Sequence, residues 1–177
     1  MLTVGIHAGH ALIGSVGAVG IIHESVWARK IKSEMLKYWR TQYKDLFKLQ
    51  DNTITYAKTS REVLNAIKSR SKNCKYNYSI HLNAGGGNGI ELLQLKQPTV
   101  AETDSFKKTA NATGLKNRGI KIRKDLYVLN QLNNCKLIEV GFVDNAEDVK
   151  IVKKNYKIIA HAIIDWIVRD LLRKEVI

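Results

Sequence analysis

Proline and cysteine are nearly absent from this sequence. It contains one proline, Pro98, and two cysteines, Cys74 and Cys135, which lie far apart and form no C-x-x-C pair. Two isolated cysteines argue against a disulfide framework and against a cysteine-rich zinc module, so we expect two reduced structural thiols. The sequence also lacks internal repeats, low-complexity segments and linkers. Its 177 residues are therefore predicted to form one compact domain, 1–177, with a core of its own.

Long apolar runs and acidic residues are also scarce. No apolar run approaches the ~20 residues of a membrane span, and the opening residues MLTVGIHAGH lack the basic segment and apolar core of a signal peptide. We therefore expect a chain that is made in the cytoplasm without a membrane anchor. Lysine and arginine number 29 against 16 aspartate and glutamate residues, which gives a net charge of +13. This imbalance favours an anionic partner, such as nucleic acid, an anionic membrane or an acidic wall polymer.

Hydrophobic periodicity predicts an alternation of strands and helices. Six short apolar runs are typical of strands, at residues 2–6, 52–58, 76–82, 89–95, 125–130 and 136–142. Four longer stretches have helical spacing, at residues 24–40, 61–70, 103–113 and 146–174. We expect caps at Thr59, Gly114 and Asn145, and a break in the last helix near Asn155. The pattern predicts an α/β fold with a mostly parallel, mixed, twisted sheet of about six strands and helices on both faces.

Three of the predicted strands end in residues that bind metals or move protons. The first strand ends at HAGH, residues 7–10, the third at His81 and the last at Glu139. Ligands bind beyond the carboxyl ends of strands in sheets of this type, so parallel strands would gather these side chains at one rim. A zinc hydrolase requires three nitrogen or oxygen ligands and a carboxylate that takes a proton from water. Each residue alone is weak evidence, because most single histidines are structural.

The third ligand that such a site requires is best supplied by Glu24. This glutamate stands where the long loop after the first strand meets the first predicted helix. Its position leaves two interpretations open. Glu24 either binds the metal or lies in the first helical turn, where it opposes the helix dipole.

Four motifs together resemble the zinc-dependent N-acetylmuramoyl-L-alanine amidases. The stretch GHALIGSVGAVGIIHE, residues 9–24, is similar to that family's G-H-G-G-x-D-P-G-A-x-G followed by a glutamate. SIHLNAGGGNGIEL, residues 79–92, resembles S-I-H-x-N-A followed by glycines and G-x-E. NRGIK, residues 117–121, and LIEVGFVDNAED, residues 137–148, resemble the family's R-G and L-x-E-x-G-F-x-x-N-x-E-D. Order and spacing match over residues 2–168, and catalytic domains of bacteriophage endolysins are the members that the chain resembles most.

The resemblance implies a reaction and a role for each of four residues. His10, Glu24 and His81 would be ligands of a Zn²⁺ ion, and Glu139 would be the catalytic carboxylate. The reaction would be hydrolysis of the amide between the lactyl group of N-acetylmuramic acid and L-alanine in peptidoglycan. Zinc would polarise the carbonyl and activate water, while Glu139 acts as general base and then general acid.

Other residues receive weaker assignments. Asn83 and Arg118 are candidate substrate-binding residues, although a surface salt bridge explains Arg118 equally well. His7 stands where the family has the aspartate of D-P-G-H, and we interpret it as structural or as a support for the metal site. We interpret His23 and His161 as structural.

The implied partners are bacterial peptidoglycan and anionic wall polymers, with no nucleic acid and no integral membrane association. Endolysins of this kind act at the cell wall after release from the host cytoplasm. A wall-binding domain often follows their catalytic domain, and in this protein it would lie beyond Ile177. Two other functions stay open. A zinc carboxypeptidase would use the same ligands, and a non-catalytic module would bind an anionic polymer without stoichiometric metal. A nucleic-acid binder is disfavoured, because the sequence has no basic helix with interleaved aromatic residues and no zinc finger.

Overall fold

The computed structural model describes residues 1–175, and residues 176 and 177 of the predicted domain lie outside the described part. Strands and helices alternate along the chain. In order, the elements are β1 (Thr3–Ala8), β2 (Ile13–Gly14), α1 (Glu24–Gln42), β3 (Lys48–Asp51), β4 (Tyr56–Ala57), α2 (Ser60–Arg70), β5 (Tyr76–Asn83), β6 (Ile90–Gln94), α3 (Val100–Thr113), β7 (Asn117–Ile122), α4 (Tyr127–Gln131), β8 (Cys135–Phe142) and α5 (Ala146–Glu175).

Six of these strands form one mixed sheet in the order β3-β1-β5-β8-β6-β7. Neighbouring strands run parallel except β6 and β8, which are antiparallel. Helices α1, α3 and α5 cover one face of the sheet, and α2 and α4 cover the other. Strands β2 and β4 form a separate two-stranded sheet. The predicted α/β fold with a mostly parallel, mixed sheet is confirmed.

Alternation along the strands produces a core on each face of the sheet. On β1, Val4 and Ile6 pack under α1 and α5, while His7 points to the opposite face, because successive strand residues face opposite sides. The larger core encloses Trp166, whose ring meets Tyr78 edge to face at a centroid distance of 6.0 Å. Full burial of one large apolar side chain contributes ~1.5–3 kcal/mol. The smaller core, under α2 and α4, leaves a cleft beside the sheet.

The strand predicted at residues 52–58 is wrong in position. Only Tyr56–Ala57 of that run is extended, and it belongs to the small sheet. The strand that joins the main sheet here is β3, with the sequence KLQD. It lies at an edge of the sheet and none of its residues is buried, so it lacks the apolar alternation by which a strand is recognised.

The strand predicted at residues 125–130 is also wrong, because this segment forms the short helix α4. The side-chain amide of Asn130 donates to the carbonyls of Lys124 and Leu126, each at 2.8 Å. Such local side-chain bonds favour a turn over an extended chain. The sixth strand of the sheet is β7, at the opposite edge from β3.

The predicted helix caps are present. Thr59 accepts a hydrogen bond from the N–H of Glu62, Gly114 has a left-handed φ of 77°, and Oδ1 of Asn145 accepts from two N–H groups at the start of α5. The predicted break near Asn155 does not occur, since α5 continues over 30 residues. No helix in the described range is both long enough and apolar enough to cross a membrane.

Candidate active site

The carboxyl ends of three parallel strands meet at one rim of the sheet. Strands β1, β5 and β8 lie side by side, and His81 on β5 is the register partner of Glu139 on β8. His10 follows the end of β1 by two residues, and Glu24 is the first residue of α1. The topology therefore brings together the four residues that the sequence assigned to metal binding and proton transfer.

His10, Glu24 and His81 form a compact set of metal donors. One donor atom of each lies within 4.8 Å of the other two. Nδ1 of His81 is 2.8 Å from Oε1 of Glu24, and Nε2 of His10 is 3.4 Å from Oε2 of the same carboxylate. The two imidazole rings meet edge to face at a centroid distance of 5.1 Å. Two imidazole nitrogens and one carboxylate oxygen suit a catalytic Zn²⁺ ion, which keeps its fourth position open.

Backbone N–H groups of the loop before α1 and of β5 fix the Glu24 carboxylate. The N–H of Ala18 donates to Oε2 of Glu24 at 2.8 Å, and the N–H of Leu82 donates to Oε1 at 3.3 Å. Glu24 also lies in the first turn of α1, where a negative charge opposes the helix dipole. The two interpretations of its sequence position are therefore compatible, because one orientation of the side chain serves both.

Two glycines give the donor side chains room. A Cβ at Gly17 would lie 2.5 Å from Cδ2 of His10 and 2.6 Å from Oε2 of Glu24. A Cβ at Gly9 would overlap the His81 ring. His10 itself has a φ of 58°, a left-handed conformation that is uncommon outside glycine and is often retained at functional sites. The backbone around the donors is thus adapted to their close approach.

The charges of the three donors are coupled. Burial raises the pKa of Glu24, but the hydrogen bond and charge of His81 outweigh it, so the pKa lies below its usual value. Burial lowers the pKa of His81, yet the hydrogen bond to Glu24 outweighs burial and raises it. The pKa of His10 is lowered by its burial. Glu24 is therefore ionised at neutral pH, which provides the negative partner that a bound cation requires.

Glu139 is a partly buried carboxylate beside these donors, and its Oε2 atom is buried. Its Oε2 has no hydrogen-bond partner among the residues that the structure describes. Burial raises the pKa of Glu139 to about 7; the charge of His81 opposes this shift and that of Glu24 adds to it. A carboxyl group that titrates near neutral pH is suited to accept and return a proton.

The two residues predicted to bind substrate both contact Glu91. Asn83 donates through Nδ2 to Oε1 of Glu91 at 3.1 Å, and Arg118 donates through Nε to Oε2 at 2.7 Å. Lys121 also pairs with Oε2, and Glu91 is the register partner of Glu139 across β6 and β8. The salt bridge of Arg118 is therefore made to a buried carboxylate beside the site rather than to a surface group.

Sequence reasoning left Glu91 and Lys121 out of the site. A signal for Glu91 was present, because it interrupts the apolar run GIELLQL and a charged residue inside such a strand requires a partner. Lys121 had no comparable signal, since the chain is rich in lysine and arginine throughout.

The remaining histidines lie outside the donor set. His7 is fully buried and lines the cleft between the sheet and helices α2 and α4. His161 stacks on Tyr38 at a centroid distance of 3.9 Å, and its Nε2 is 3.3 Å from Oε1 of Glu34. His23 is exposed immediately before α1. The contacts of His161 are those of a structural residue.

Several known proteins resemble this chain in sequence or in fold. A family model described as N-acetylmuramoyl-L-alanine amidase matches residues 4–169, whereas no curated protein sequence matches. The catalytic domain of CwlV, an N-acetylmuramoyl-L-alanine amidase from Bacillus (Paenibacillus) polymyxa var. colistinus, has a TM-score of 0.80 and 25% identity, covering 97% of this chain and 98% of that one. The catalytic domain of the CD27L endolysin, which targets Clostridia difficile, has a TM-score of 0.79 and 25% identity, covering 96% and 98%. The CwlD amidase from Clostridioides difficile, solved with the GerS lipoprotein, shares the fold with a TM-score of 0.75 and 22% identity, covering 97% and 98%.

Proposed function

The chain belongs to the N-acetylmuramoyl-L-alanine amidase family, and we propose that it works with a Zn²⁺ ion held by His10, Glu24 and His81. It is a peptidoglycan hydrolase that cleaves the amide between the lactyl group of N-acetylmuramic acid and L-alanine. The convergence of three donor atoms within 4.8 Å of one another carries the metal assignment. Two of the donors are imidazoles, which favours zinc over Mg²⁺ or Ca²⁺, since these ions prefer oxygen ligands alone.

Glu139 is the proposed proton carrier of the reaction. When bound, a zinc ion supplies Lewis-acid chemistry, polarising the scissile carbonyl and lowering the pKa of water to ~7. Glu139 accepts a proton from the attacking water and then delivers it to the leaving alanine nitrogen. A nearby cation favours the ionised carboxylate, so Glu139 enters the reaction as a base. Its Oε2 has no competing protein donor within the described chain.

Three residues around Glu91 are proposed to orient the substrate. Arg118 and Lys121 both donate to Glu91 and are partly exposed, so they present positive charge at the rim of the site. A guanidinium and an ammonium group at such a place attract substrate carboxylates and glycan oxygens. Asn83, which is hydrogen-bonded to the same carboxylate, follows the proposed zinc ligand His81 by two residues at the end of β5.

Neither alternative function is favoured by an observation. A zinc carboxypeptidase would use the same donors, but the family match and the two structures at 25% identity are all amidases or endolysin domains. A non-catalytic polymer binder has no need for three converging metal donors beside a carboxylate whose pKa is about 7.

We further propose that residues 1–177 act as a single catalytic domain of the bacteriophage endolysin type at the bacterial cell wall. The likeness to the CD27L catalytic domain supports the endolysin role. The net charge of +13 supports an additional contact with anionic wall polymers.

Analysis of the products formed from purified cell wall tests the reaction. We expect new N-terminal alanine and an equal amount of free lactyl carboxyl groups on muramic acid, with both products formed ~10²–10⁴-fold more slowly by Glu139→Gln. Release of free amino acids from the carboxyl end of the stem peptide would instead indicate a carboxypeptidase. Binding to the wall without any product would indicate the non-catalytic module.

A further inference from the structure

Arg29 on helix α1 binds the backbone of a proposed zinc ligand. Its Nη2 donates to the carbonyl of His10 at 3.0 Å and to the carbonyl of Ile54, and its Nη1 donates to the carbonyl of Ser25 at 2.7 Å. The guanidinium is partly buried and lies outside the set of metal donors, because it carries hydrogen-bond donors only. Its hydrogen bonds therefore act on the backbone around the site rather than on an ion.

The side chain of Arg29 joins three parts of the chain that meet beside the site. His10 belongs to the loop after β1, and Ile54 lies between β3 and β4. Ser25 follows Glu24 in the first turn of α1. Two of the three proposed zinc ligands, His10 and Glu24, are therefore linked through a single guanidinium.

The backbone of His10 requires a restraint of this kind. Its φ of 58° is left-handed, a conformation that a residue with a Cβ keeps only where its surroundings impose it. The N–H groups of Ala8 and Leu12, on either side, bond to the segment between β3 and β4. The carbonyl of His10 is bound by the guanidinium of Arg29 instead. This bond limits rotation of the backbone from which the imidazole projects.

We propose that Arg29 is a positioning residue of the zinc site, which holds the His10 imidazole beside the Glu24 carboxylate through the His10 carbonyl. The proposal rests on the proposed zinc ligands and adds a residue that acts on one of them from outside the donor set. Groups that orient metal ligands in this way typically contribute 10–100-fold to metal affinity. Arginine suits the role, because its guanidinium stays charged when partly buried and presents several N–H donors in a fixed plane.

Arg29→Met removes the donors and keeps an unbranched side chain. In titration against a competing chelator, we expect the metal-free variant to bind zinc about tenfold more weakly than the wild type. Saturating zinc should return kcat on soluble wall fragments to near the wild-type value, because Arg29 does not touch the reacting atoms. Arg29→Lys keeps a positive charge and N–H donors on its terminal nitrogen, so it should recover most of the zinc affinity.

Arg70→Met is the matched control. Arg70 donates through Nη1 to the carbonyl of Thr53 at 2.6 Å, so it binds the same segment as Arg29 at the neighbouring residue, without a bond to His10. We expect Arg70→Met to leave zinc affinity unchanged. A loss of affinity confined to Arg29→Met would then come from the contact with His10 and not from a loosened segment between β3 and β4.

The rise in thermal midpoint on addition of zinc gives a second readout, because an ion that binds the folded state stabilises it more the more tightly it binds. This rise should be smaller for Arg29→Met than for the wild type and for Arg70→Met. If Arg29→Met does not fold, Arg29→Gln carries the same expectation, since its amide nitrogen takes the place of Nε and does not reach the His10 carbonyl.

Two results would overturn the proposal, and they differ in what they leave standing. Equal zinc affinity in the wild type and the folded variant, even with a lower thermal midpoint, would assign Arg29 to structure alone and leave the zinc site in place. Absence of zinc binding by the wild type would overturn both the positioning role and the zinc site.

Discussion

Glu24 and Glu139 are two carboxylates of the candidate active site with different neighbours. Glu24 approaches both His10 and His81, at 3.4 and 2.8 Å, so its charge belongs to the metal site. Glu139 is paired in register with His81 but keeps an oxygen without a partner in the described residues. This difference supports the proposed roles, ion binding for the first carboxylate and proton transfer for the second.

Replacing Glu91 tests the group of residues that it holds. Glu91→Gln removes the charge that Arg118 and Lys121 share, and it leaves two cations that water solvates only in part. We expect unfolding in urea to show a loss of about 1–3 kcal/mol, the typical range for a broken charged hydrogen bond. Asp125→Asn, which breaks the exposed pair of Asp125 with Arg123, should change stability little.

The effect of Glu91→Gln should also depend on pH. The Arg118 and Lys121 contacts outweigh burial and lower the pKa of Glu91 in the folded protein. The stabilisation by Glu91 is thus fully present above the unfolded pKa of ~4.3 and is lost as pH falls through the folded pKa. The stability difference between wild type and variant should shrink in acid. A difference that stays constant from neutral to acidic pH would show that Glu91 acts only through packing.

Individual residues of the site differ in how far the sequence predicts them. His10, His81 and Glu139 could be predicted because strand ends in a parallel sheet converge, and Glu24 because of its place before the first helix. The resemblance to the family then chose between His7 and His10 and between the two interpretations of Glu24. The register pairing of Glu91 with Glu139 could not be predicted, because it depends on β6 running antiparallel to β8. Nothing local in the sequence encodes that pairing.

Among the elements, the loop between β1 and α1 carries the tightest steric demand on the metal site. Gly17→Ala would place a methyl group against His10 and Glu24 at a φ of +74°. We expect a loss of zinc affinity of about 10–100-fold, the usual effect of disturbing residues that orient metal ligands. The measurement is zinc titration against a competing chelator.

Gly86→Ala, in the loop between β5 and β6, is the control for Gly17→Ala. Gly86 has a similar φ of +76°, but a Cβ there would meet no atom within 4 Å. Both variants should lose about 1 kcal/mol of stability from the strained backbone, and only Gly17→Ala should lose zinc. Equal zinc affinity in the two variants would contradict the assigned donors.

Helices and strands could be predicted from the sequence where one buried face gives their apolar residues a regular spacing. Strands β1, β5, β6 and β8 and helices α1, α2, α3 and α5 were expected near their observed positions, because each buries an apolar face. The errors fall on β2, β3, β4 and β7, which are short or lie at a sheet edge, and on the five-residue α4. Such elements are held by neighbours and by side-chain bonds rather than by an apolar period.

For the whole molecule, the excess of basic residues predicts salt-dependent binding to the wall. Lys153, Lys154 and Lys157 are exposed on α5, and Lys30 of α1 lies 4.4 Å from the centroid of the Trp27 ring on the same side of the sheet. Screening limits the attraction of such charges to ~8 Å at physiological salt. We expect sedimentation with purified wall to weaken as salt rises from low to physiological strength.

A matched variant locates this attraction on α5. Lys153→Gln with Lys154→Gln should reduce binding to the wall at low salt and leave turnover of soluble fragments unchanged, because neither lysine belongs to the site. Binding that does not respond to salt would assign the basic residues to solubility alone.

Bound zinc and turnover, measured together on Glu24→Gln and Glu139→Gln, test the division of roles most directly. The purified wild type should carry about one zinc ion, in line with its single set of three donors in the described chain. Glu24→Gln should lose zinc first, with activity following the lost metal and partly restored by excess zinc. Glu139→Gln should keep zinc and lose ~10²–10⁴-fold in kcat, the usual contribution of general acid–base catalysis. Near-normal turnover by Glu139→Gln, or loss of zinc by this variant but not by Glu24→Gln, would contradict the assignment and place Glu139 among the metal ligands.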